Sequence, residues 1–292
     1  MNKLVAIIVS FNRAEKLSTS VQQCLINGVD HIIIVDNNSE QDVLNYLNSI
    51  VEYEKVSIIF NDTNNGASKA FWQAVEHLPL VCELQDSNVV FLDDDSYIST
   101  SFKNKLPSIK GFMSPAVLNL EGCLLKMNLP LLSIPSSLLD VLMYLYKRPT
   151  PKIGQSVSIQ SASFVGLTMN AAIAYKYRYL IPVDFFIYFD DVYFTLKLSE
   201  LGVDGYYDPN LEVVHDTTDT RRIGSQLTIY YLFRNAVITH REMTRWWWLI
   251  VFFKIISYGS FIVSSKRECF SKLRAVIKGV VSGVKYLYVR GE

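Results

Sequence analysis

Cysteine and histidine are scarce, with four of each among 292 residues. The cysteines have neither the paired spacing of a zinc site nor the density of a disulfide-stapled domain, so we expect free thiols in a reducing compartment. The apolar run 4–9 is shorter than the core of a secretory signal, and no small-residue cleavage site follows it. These absences favour a cytosolic protein whose first apolar run is a β-strand.

Glycine is missing from residues 10–13, which follow the first predicted strand. A glycine-rich phosphate loop at this position is typical of nucleotidyl transfer on similar sheets. The segment also lacks the nucleophilic aspartate that haloacid-dehalogenase-type phosphotransfer requires there. Both activities are therefore disfavoured, and nucleotidyl transfer stays open only as an alternative.

The net charge is zero, but the two parts of the chain carry opposite charge. From Arg234 onward there are 11 Lys and Arg against 3 Asp and Glu, whereas residues 1–233 hold 17 basic and 25 acidic residues. An acidic front and a basic, aromatic tail indicate different surroundings for the two parts. We expect the tail to face acidic lipid headgroups rather than nucleic acid.

The carboxy-terminal residues 236–292 form a predicted helical extension. Residues 246–263 contain a single charge, Lys254, and residues 271–288 are amphipathic. The predicted apolar face of the second helix comprises Leu273, Val276, Ile277, Val280, Val284 and Leu287, and the basic residues off that face are Lys272, Arg274, Lys278 and Lys285. Three interpretations stay open: helices packed on the domain, helices at a membrane interface, and a membrane span, for which 18 residues are marginal against a hydrocarbon core of ~30 Å.

Strand-like and helix-like segments alternate in the first hundred residues. Predicted strands at 4–10, 31–35, 56–60 and 88–92 alternate with predicted helices at 14–27, 43–50 and 67–77. This order predicts a doubly wound α/β domain with a mostly parallel sheet. Further predicted elements are a helix at 136–146, a strand at 157–170, a loop entering a helix over 184–201 and a strand at 211–214.

Polar residues follow three of the predicted strands, and ligands of such sheets bind at the strands' carboxyl ends. The sharpest of these groups is Asp93-Asp94-Asp95, since three adjacent carboxylates after an apolar strand repel one another unless a cation neutralises them. Alternate residues of an extended segment point the same way, so Asp93 and Asp95 are expected to aim at one metal and Asp94 elsewhere. The alternative is a solvated turn or a helix cap.

Six short motifs occur in one order along the chain: 9–13 (VSFNR), 35–39 (VDNNS), 64–67 (NNGA), 91–95 (FLDDD), 164–166 (FVG) and 184–192 (DFFIYFDDV). With them the chain resembles a family 2 glycosyltransferase with a GT-A fold, over residues 1–235. The last two motifs resemble the branch that contains galactofuranosyl and rhamnosyl transferases. The resemblance implies two abutting Rossmann-like halves with a mostly parallel central sheet, followed by the helical extension 236–292.

The resemblance also implies roles for individual residues. The nucleotide-binding residues are Ser10, Phe11, Arg13, Asp36, Asn64, Gly66 and Asp94. The ligands of Mn²⁺ or Mg²⁺ are Asp93, Asp95 and His215. Asp191 matches the catalytic base, and the further expected donor or acceptor contacts are Gly166, Asp190, Arg221, Arg222 and Arg234. The alternatives are helix capping for the two adjacent aspartates, a structural histidine, and a solvated loop for the two adjacent arginines.

The implied activity is an inverting transfer, in which a carboxylate takes the acceptor's proton and a cation stabilises the departing diphosphate. The expected donor is UDP-galactose in either ring form, or dTDP-rhamnose. The expected acceptor is a lipid-linked glycan or polysaccharide of a bacterial cell surface, such as O-antigen or capsule, reached by peripheral binding at the cytoplasmic face of the membrane. The alternative of another class is a non-catalytic, membrane-associated scaffold that retains the fold.

Overall fold

The computed structural model describes residues 3–152, 154–217, 225–264 and 268–290. The strands are β1 (Lys3–Ser10), β2 (His31–Asp36), β3 (Val56–Phe60), β4 (Ser87–Asp93), β5 (Ser96–Ile98), β6 (Phe112–Leu118), β7 (Val157–Ile159), β8 (Thr168–Asn170) and β9 (Gly205–His215). The helices are α1 (Ala14–Ile26), α2 (Gln41–Ile50), α3 (Ala67–Val81), α4 (Phe102–Lys105), α5 (Leu138–Tyr146), α6 (Ala171–Tyr177), α7 (Asp190–Glu200), α8 (Gln226–Met243), α9 (Trp247–Ser264) and α10 (Cys269–Arg290), with short 3₁₀ turns at Lys126–Asn128 and Arg178–Leu180.

In these residues the strands form one mixed sheet, in the order β3-β2-β1-β4-β8-β6-β9-β5, with β7 beside β9. The first four strands in this order are parallel. They are apolar along nearly their whole length because helices cover both faces, with α1 and α2 on one side and α3, α6 and α7 on the other. The predicted α/β fold with a mostly parallel sheet flanked by helices is confirmed.

The register of the parallel strands brings the polar strand ends together. Ser10 lies opposite Asp36 across β1 and β2, and Val9 lies opposite Asp93 across β1 and β4. Parallel strands present their carboxyl ends at the same edge of a sheet, and here three polar segments therefore meet at one edge, as the sequence predicts.

The prediction of one strand over residues 157–170 is wrong. The segment forms two short strands: β7 pairs with β9, and β8 pairs with β4 and β6. Between them the chain turns through Gly166, which has a φ of +82° and whose position leaves no room for a Cβ, since that atom would lie 2.4 Å from Pro115 Cγ. This turn lies between β7 and β8, and glycine occupies it because residues with side chains rarely adopt this backbone conformation.

The buried face of α10 also differs from the predicted one. Ala275, Gly279 and Gly283 lie against α8, because small residues let the two backbones approach closely. As a result Leu273 and Ile277 are exposed, and Lys272, predicted off the apolar face, is buried with its Nζ 3.0 Å from Glu268. Hydrophobicity alone did not predict this face, since glycine contributes little to an apolar pattern.

The carboxy-terminal helices are continuous with the rest of the fold. The predicted domain boundary between residues 235 and 236 falls inside α8, which packs against α7, α9 and α10. Among the helices of the described ranges, none has both the length and the apolar character needed to cross a membrane.

We expect Gly279→Ala to lower the free energy of unfolding by about 1–3 kcal/mol, because the new Cβ would lie 2.5 Å from the Tyr230 carbonyl oxygen and push α10 off α8. Gly259→Ala in α9 is the matched control, since nothing lies within 4 Å of its added Cβ. It should raise stability by up to about 1 kcal/mol through the better helix propensity of alanine. Urea unfolding measures both, and equal effects would contradict the close α8–α10 contact.

Candidate active site

Asp93, Asp95 and His215 form the one group among the described residues with the geometry of a metal site. Each offers a ligand atom, and these atoms lie within 4.8 Å of one another. Asp93 ends β4, Asp95 lies in the turn that follows it, and His215 ends β9, where the antiparallel pairing of β5 with β9 sets it opposite Ser96. The fold thus brings the two aspartates together with a histidine that is more than a hundred positions away in sequence.

The donor atoms of this group suit a divalent cation. The Asp95 Oδ1 atom is buried and accepts no hydrogen bond of good geometry from the described residues, although His215 Nε2 lies 3.2 Å away. The other ring nitrogen, Nδ1, lies 3.4 Å from Asn128 Oδ1. When Nδ1 carries the proton toward Asn128, Nε2 presents a lone pair to the space it shares with the carboxylates, which is the arrangement of a metal-ligating histidine. Two carboxylates and an imidazole are together a ligand set for a divalent cation.

The charges of the cluster are unequally stabilised. Burial raises the pKa of Asp93, and the charges of Asp95 and Asp191 raise it further, while His215 lowers it. Burial raises the pKa of Asp94 to about 7. At Asp95 burial is outweighed by His215 and Arg13, which hold the pKa of that carboxyl below its usual range. Burial lowers the pKa of His215, but Asp95 and Asp93 raise it above the usual range. A cation at this point would relieve the remaining repulsion.

Asp94 lies in the turn after β4 and has other partners than the metal group. Its carboxylate accepts from the Phe11 backbone N–H at 3.1 Å and from Arg13 Nη1 at 3.0 Å. The same Nη1 atom lies 2.7 Å from Asp95 Oδ2. Arg13, predicted to line the nucleoside pocket, therefore holds two of the three carboxylates in place in this structure.

The cleft beside β1 and β2 holds buried polar atoms without partners among the described residues. These atoms are Ser10 Oγ and Asp36 Oδ1, whereas Asp36 Oδ2 accepts from the Ser39 N–H at 3.0 Å. The Phe11 side chain is 43% exposed at the mouth of this cleft. Buried polar atoms require partners, and a nucleoside with an aromatic base and hydroxyl groups offers both hydrogen bonds and a stacking face.

Gly66 joins this cleft to the segment that precedes the predicted base. Asn64 Oδ1 accepts from the Gly66 N–H at 2.9 Å, and Asn37 Nδ2 donates to the Gly66 carbonyl at 3.2 Å. A Cβ at Gly66 would lie 2.2 Å from the carbonyl oxygen of Phe186, so only glycine fits. The turn at Gly66, which is predicted to lie beside the donor, is therefore in direct contact with the segment 184–191.

Asp190 and Asp191 begin α7. Burial, and then the charge of Asp191, raise the pKa of Asp190 well above its usual range. Burial also raises the pKa of Asp191, while the N–H of Val192 and the Ser163 hydroxyl lower it. Asn128 lies 3.4 Å from His215 Nδ1 and donates to the Ser163 hydroxyl at 3.1 Å, and Ser163 lines a small cavity with Asp191. One chain of contacts therefore joins the metal group to the predicted base.

Three residues of the site lie outside the predicted set. Asn128 faces His215 and donates from Nδ2 to the Ser163 hydroxyl at 3.1 Å, and Ser163 in turn bonds Asp191. Arg148 lines a small cavity with Asp191, and its charge lowers the pKa of that carboxyl. Asn128 and Arg148 come from the proline-rich segment 107–154, where an isolated asparagine or arginine gives no sequence signal.

The other predicted contacts are placed as follows. Gly166 packs against Pro115, and its N–H donates to the Phe91 carbonyl at 2.8 Å. Arg234 is buried, with Nη2 lying 2.7 Å from Asp184 Oδ2. Arg221 and Arg222 lie outside the described residues.

We expect the protein to bind Mn²⁺ in calorimetric titration, and Asp95→Ala or His215→Ala to weaken that binding at least about tenfold, because each removes one of three ligands. Asp216→Asn is the matched control, since Asp216 is an adjacent carboxylate that pairs with Lys16 and lies outside the group. Equal Mn²⁺ affinity in the wild type and in Asp95→Ala would exclude this metal site.

A sequence profile described as "Glycosyl transferase family 2" matches residues 5–106. No curated protein matches the chain in sequence. Solved structures similar to it include GalNAc-T7 with UDP, GalNAc and Mn²⁺, at 11% identity and a TM-score of 0.57 over 82% of this chain and 48% of that one. The chain thus spans about half the length of GalNAc-T7.

Two further structures match over most of both chains. The mannosyltransferase PcManGT from Pyrobaculum calidifontis, in complex with GDP-Man and Mn²⁺, has 11% identity and a TM-score of 0.53 over 97% of this chain and 87% of its own. S. aureus TarS 1–349, in complex with UDP-GlcNAc, has 14% identity and a TM-score of 0.56 over 95% of this chain and 81% of its own. At these identities the likeness shows a shared fold. Residues 5–106 therefore match the family 2 glycosyltransferase profile, and they lie within a chain that has the GT-A fold of these structures.

Proposed function

We propose that the chain is an inverting, divalent-metal-dependent glycosyltransferase that moves a sugar from a nucleoside diphosphate to a hydroxyl acceptor. The observation that carries this proposal is the chain of contacts that leads from the group Asp93, Asp95 and His215 through Asn128 and Ser163 to Asp191. The transfer needs a cation beside the diphosphate and a carboxylate beside the acceptor hydroxyl. Both requirements are met by residues that the fold holds in place.

In this proposal the two adjacent aspartates of α7 differ in how readily they lose a proton. Burial and the charge of Asp191 raise the pKa of Asp190 well above its usual range, and the pKa of Asp191 is raised less, so Asp191 is the member of the pair that loses its proton first. A raised pKa makes Asp191 a stronger base than an exposed aspartate, and turnover should increase as the pH rises through that pKa. Asp191 takes the proton of the acceptor hydroxyl while its oxygen attacks the anomeric carbon.

We propose a UDP-sugar donor, with galactose in either ring form ahead of dTDP-rhamnose. Two of the similar structures hold UDP or UDP-GlcNAc and one holds GDP-Man, so the fold accommodates more than one base. In this chain the cleft with Ser10 and Asp36 is the proposed base and ribose pocket, and Phe11 the stacking face.

We expect UDP to bind in calorimetric titration with Mn²⁺ and not with EDTA, and more tightly than dTDP or GDP. Asp191→Asn should keep this binding and lose transfer by at least about a hundredfold, because only the proton acceptor is removed. Asp190→Asn is the matched control: it replaces the carboxyl with the more strongly raised pKa by an amide of the same shape, so most turnover should remain.

Metal-dependent binding of dTDP or GDP in place of UDP would reassign the donor. Absence of binding by all three would contradict the proposed transfer and favour a scaffold that retained the fold. Turnover in Asp191→Asn close to that of the wild type would remove Asp191 from the role of base.

We further propose that the acceptor is a lipid-linked glycan or polysaccharide of a bacterial cell surface, such as O-antigen or capsule, reached at the cytoplasmic face of the membrane. The support is an apolar and basic surface on three neighbouring helices, α5, α9 and α10. Its exposed apolar residues are Leu139, Met143, Tyr146, Trp248, Phe252, Phe253, Ile256, Leu273 and Ile277. Exposed Arg274, Lys278 and Lys285 supply the positive charge that anionic headgroups attract.

We expect the protein to float with vesicles that contain phosphatidylglycerol and to float less with phosphatidylcholine alone. Ile256→Asp combined with Ile277→Asp should abolish flotation, because two charges on the apolar surface oppose burial among acyl chains. Leu80→Asp is the matched control, since Leu80 is also an exposed apolar residue but lies on α3, away from this surface. Undiminished flotation of the double variant would exclude this surface as the membrane contact.

A further inference from the structure

Residues 184–189, which we call the catalytic loop, lead directly into Asp190 and Asp191. Two consecutive residues of this loop, Tyr188 and Phe189, have φ angles of +68° and +66°. Residues other than glycine are strained in this left-handed backbone conformation, which persists only where surrounding contacts impose it. The position of Asp191 therefore depends on whatever holds the loop.

The first element that holds the catalytic loop is α8. Asn235 is fully buried, and its Nδ2 atom donates to the carbonyls of Ile187 at 2.9 Å and Tyr188 at 3.0 Å. The side-chain oxygen of Asn235, Oδ1, accepts from Arg234 Nη1 at 2.8 Å, which fixes the orientation of the side-chain amide. Arg234 also bonds the Asp184 carboxylate and carbonyl, so the pair Arg234 and Asn235 holds both ends of the loop.

The helices α9 and α10 contact the same loop. The Phe189 ring lies edge-on to His240 of α8 at 5.4 Å, with the Lys254 ammonium of α9 5.0 Å from its centre. Tyr286 of α10 donates to Asp184 Oδ1 at 3.4 Å. Residues from α8, α9 and α10 thus all contact the catalytic loop.

The opposite side of the loop contacts the donor cleft. The Phe186 carbonyl accepts from the Ala67 N–H at 3.2 Å, and the Phe186 ring stacks on Tyr231 of α8 at 5.3 Å. The catalytic loop therefore lies between the turn at Gly66 and α8, and a shift of the helix changes the distance between the donor and the base.

We propose that Asn235 is a positioning residue, which holds the strained catalytic loop so that Asp191 faces the metal-bound donor, and that Arg234 orients Asn235 for this purpose. The carboxy-terminal helices are then part of the catalytic unit and not a detachable membrane anchor. The inference rests on the proposed role of Asp191, but it concerns contacts that the donor does not make.

The test is Asn235→Asp in the full chain, which keeps the shape of the side chain and replaces the N–H donor by an oxygen that repels the two carbonyls. We expect kcat to fall about ten- to a hundredfold, because a displaced base is poorly aligned. The dissociation constant of UDP with Mn²⁺ and the KM of the donor should change less than about twofold, since Asn235 lies away from the nucleotide cleft. Thr239→Val is the matched control, since Thr239 is buried one turn further along α8 and its hydroxyl has no partner among the described residues.

Hydrogen–deuterium exchange over residues 184–191 provides a readout that does not depend on the donor. Exchange should be faster in Asn235→Asp than in the wild type or in Thr239→Val. If Asn235→Asp does not fold, Asp184→Asn serves instead. This variant removes the negative charge that pairs with Arg234, at a side chain that is partly exposed and therefore tolerant of substitution. It should likewise lower kcat and speed the exchange of the loop.

An unchanged kcat in these variants, or a lower kcat without faster exchange of the loop, would overturn the inference. If the wild type turns over no donor, the proposed function fails separately. Exchange then still decides whether Asn235 holds the loop, and unchanged exchange in both variants would overturn the inference by itself.

Discussion

The site is built around the mutual repulsion of three adjacent carboxylates at the end of β4, of which Asp94 and Asp95 are buried and Asp93 is partly buried. The negative charges of the carboxylates need positively charged or hydrogen-bonding partners, and these partners come from different parts of the sheet. Arg13 arrives from the end of β1 and His215 from the end of β9. The strand order places these two groups on either side of β4 and leaves one open space beside Asp93 and Asp95, where a cation completes the balance of charge.

The base comes from a second system, which is built on backbone strain. Asp191 begins a helix whose preceding residues are left-handed, and the contacts that hold them come from the last third of the chain. Small residues on α10 allow close packing on α8, and they leave the larger apolar side chains of α10 outside. One packing solution therefore both stabilises the catalytic loop and creates the apolar, basic surface proposed to meet the membrane.

The site residues that could be predicted from the sequence are charged residues that directly follow an apolar strand. Asp93 and Asp95 stand at the end of an apolar run, and in the structure a turn at Asp94 and Asp95, and not a continued strand, separates Asp94 from the metal group. Asn128 and Asn235 gave no such signal, because a single asparagine is common in loops and helices and acquires a role only through its distant neighbours. Residues 157–170 look like one strand because their apolar pattern does not reveal a change of pairing partner.

Local periodicity and the direction of parallel strands were enough to predict the alternation of strands and helices in the first hundred residues and the edge at which polar strand ends meet. Three other features emerge only in the folded chain: the buried face of α10, the course of α8 across the predicted boundary, and the inward turn of Arg234 to Asp184. Those outcomes depend on the fit between backbones and on hydrogen bonds across long sequence separations, which no local pattern encodes.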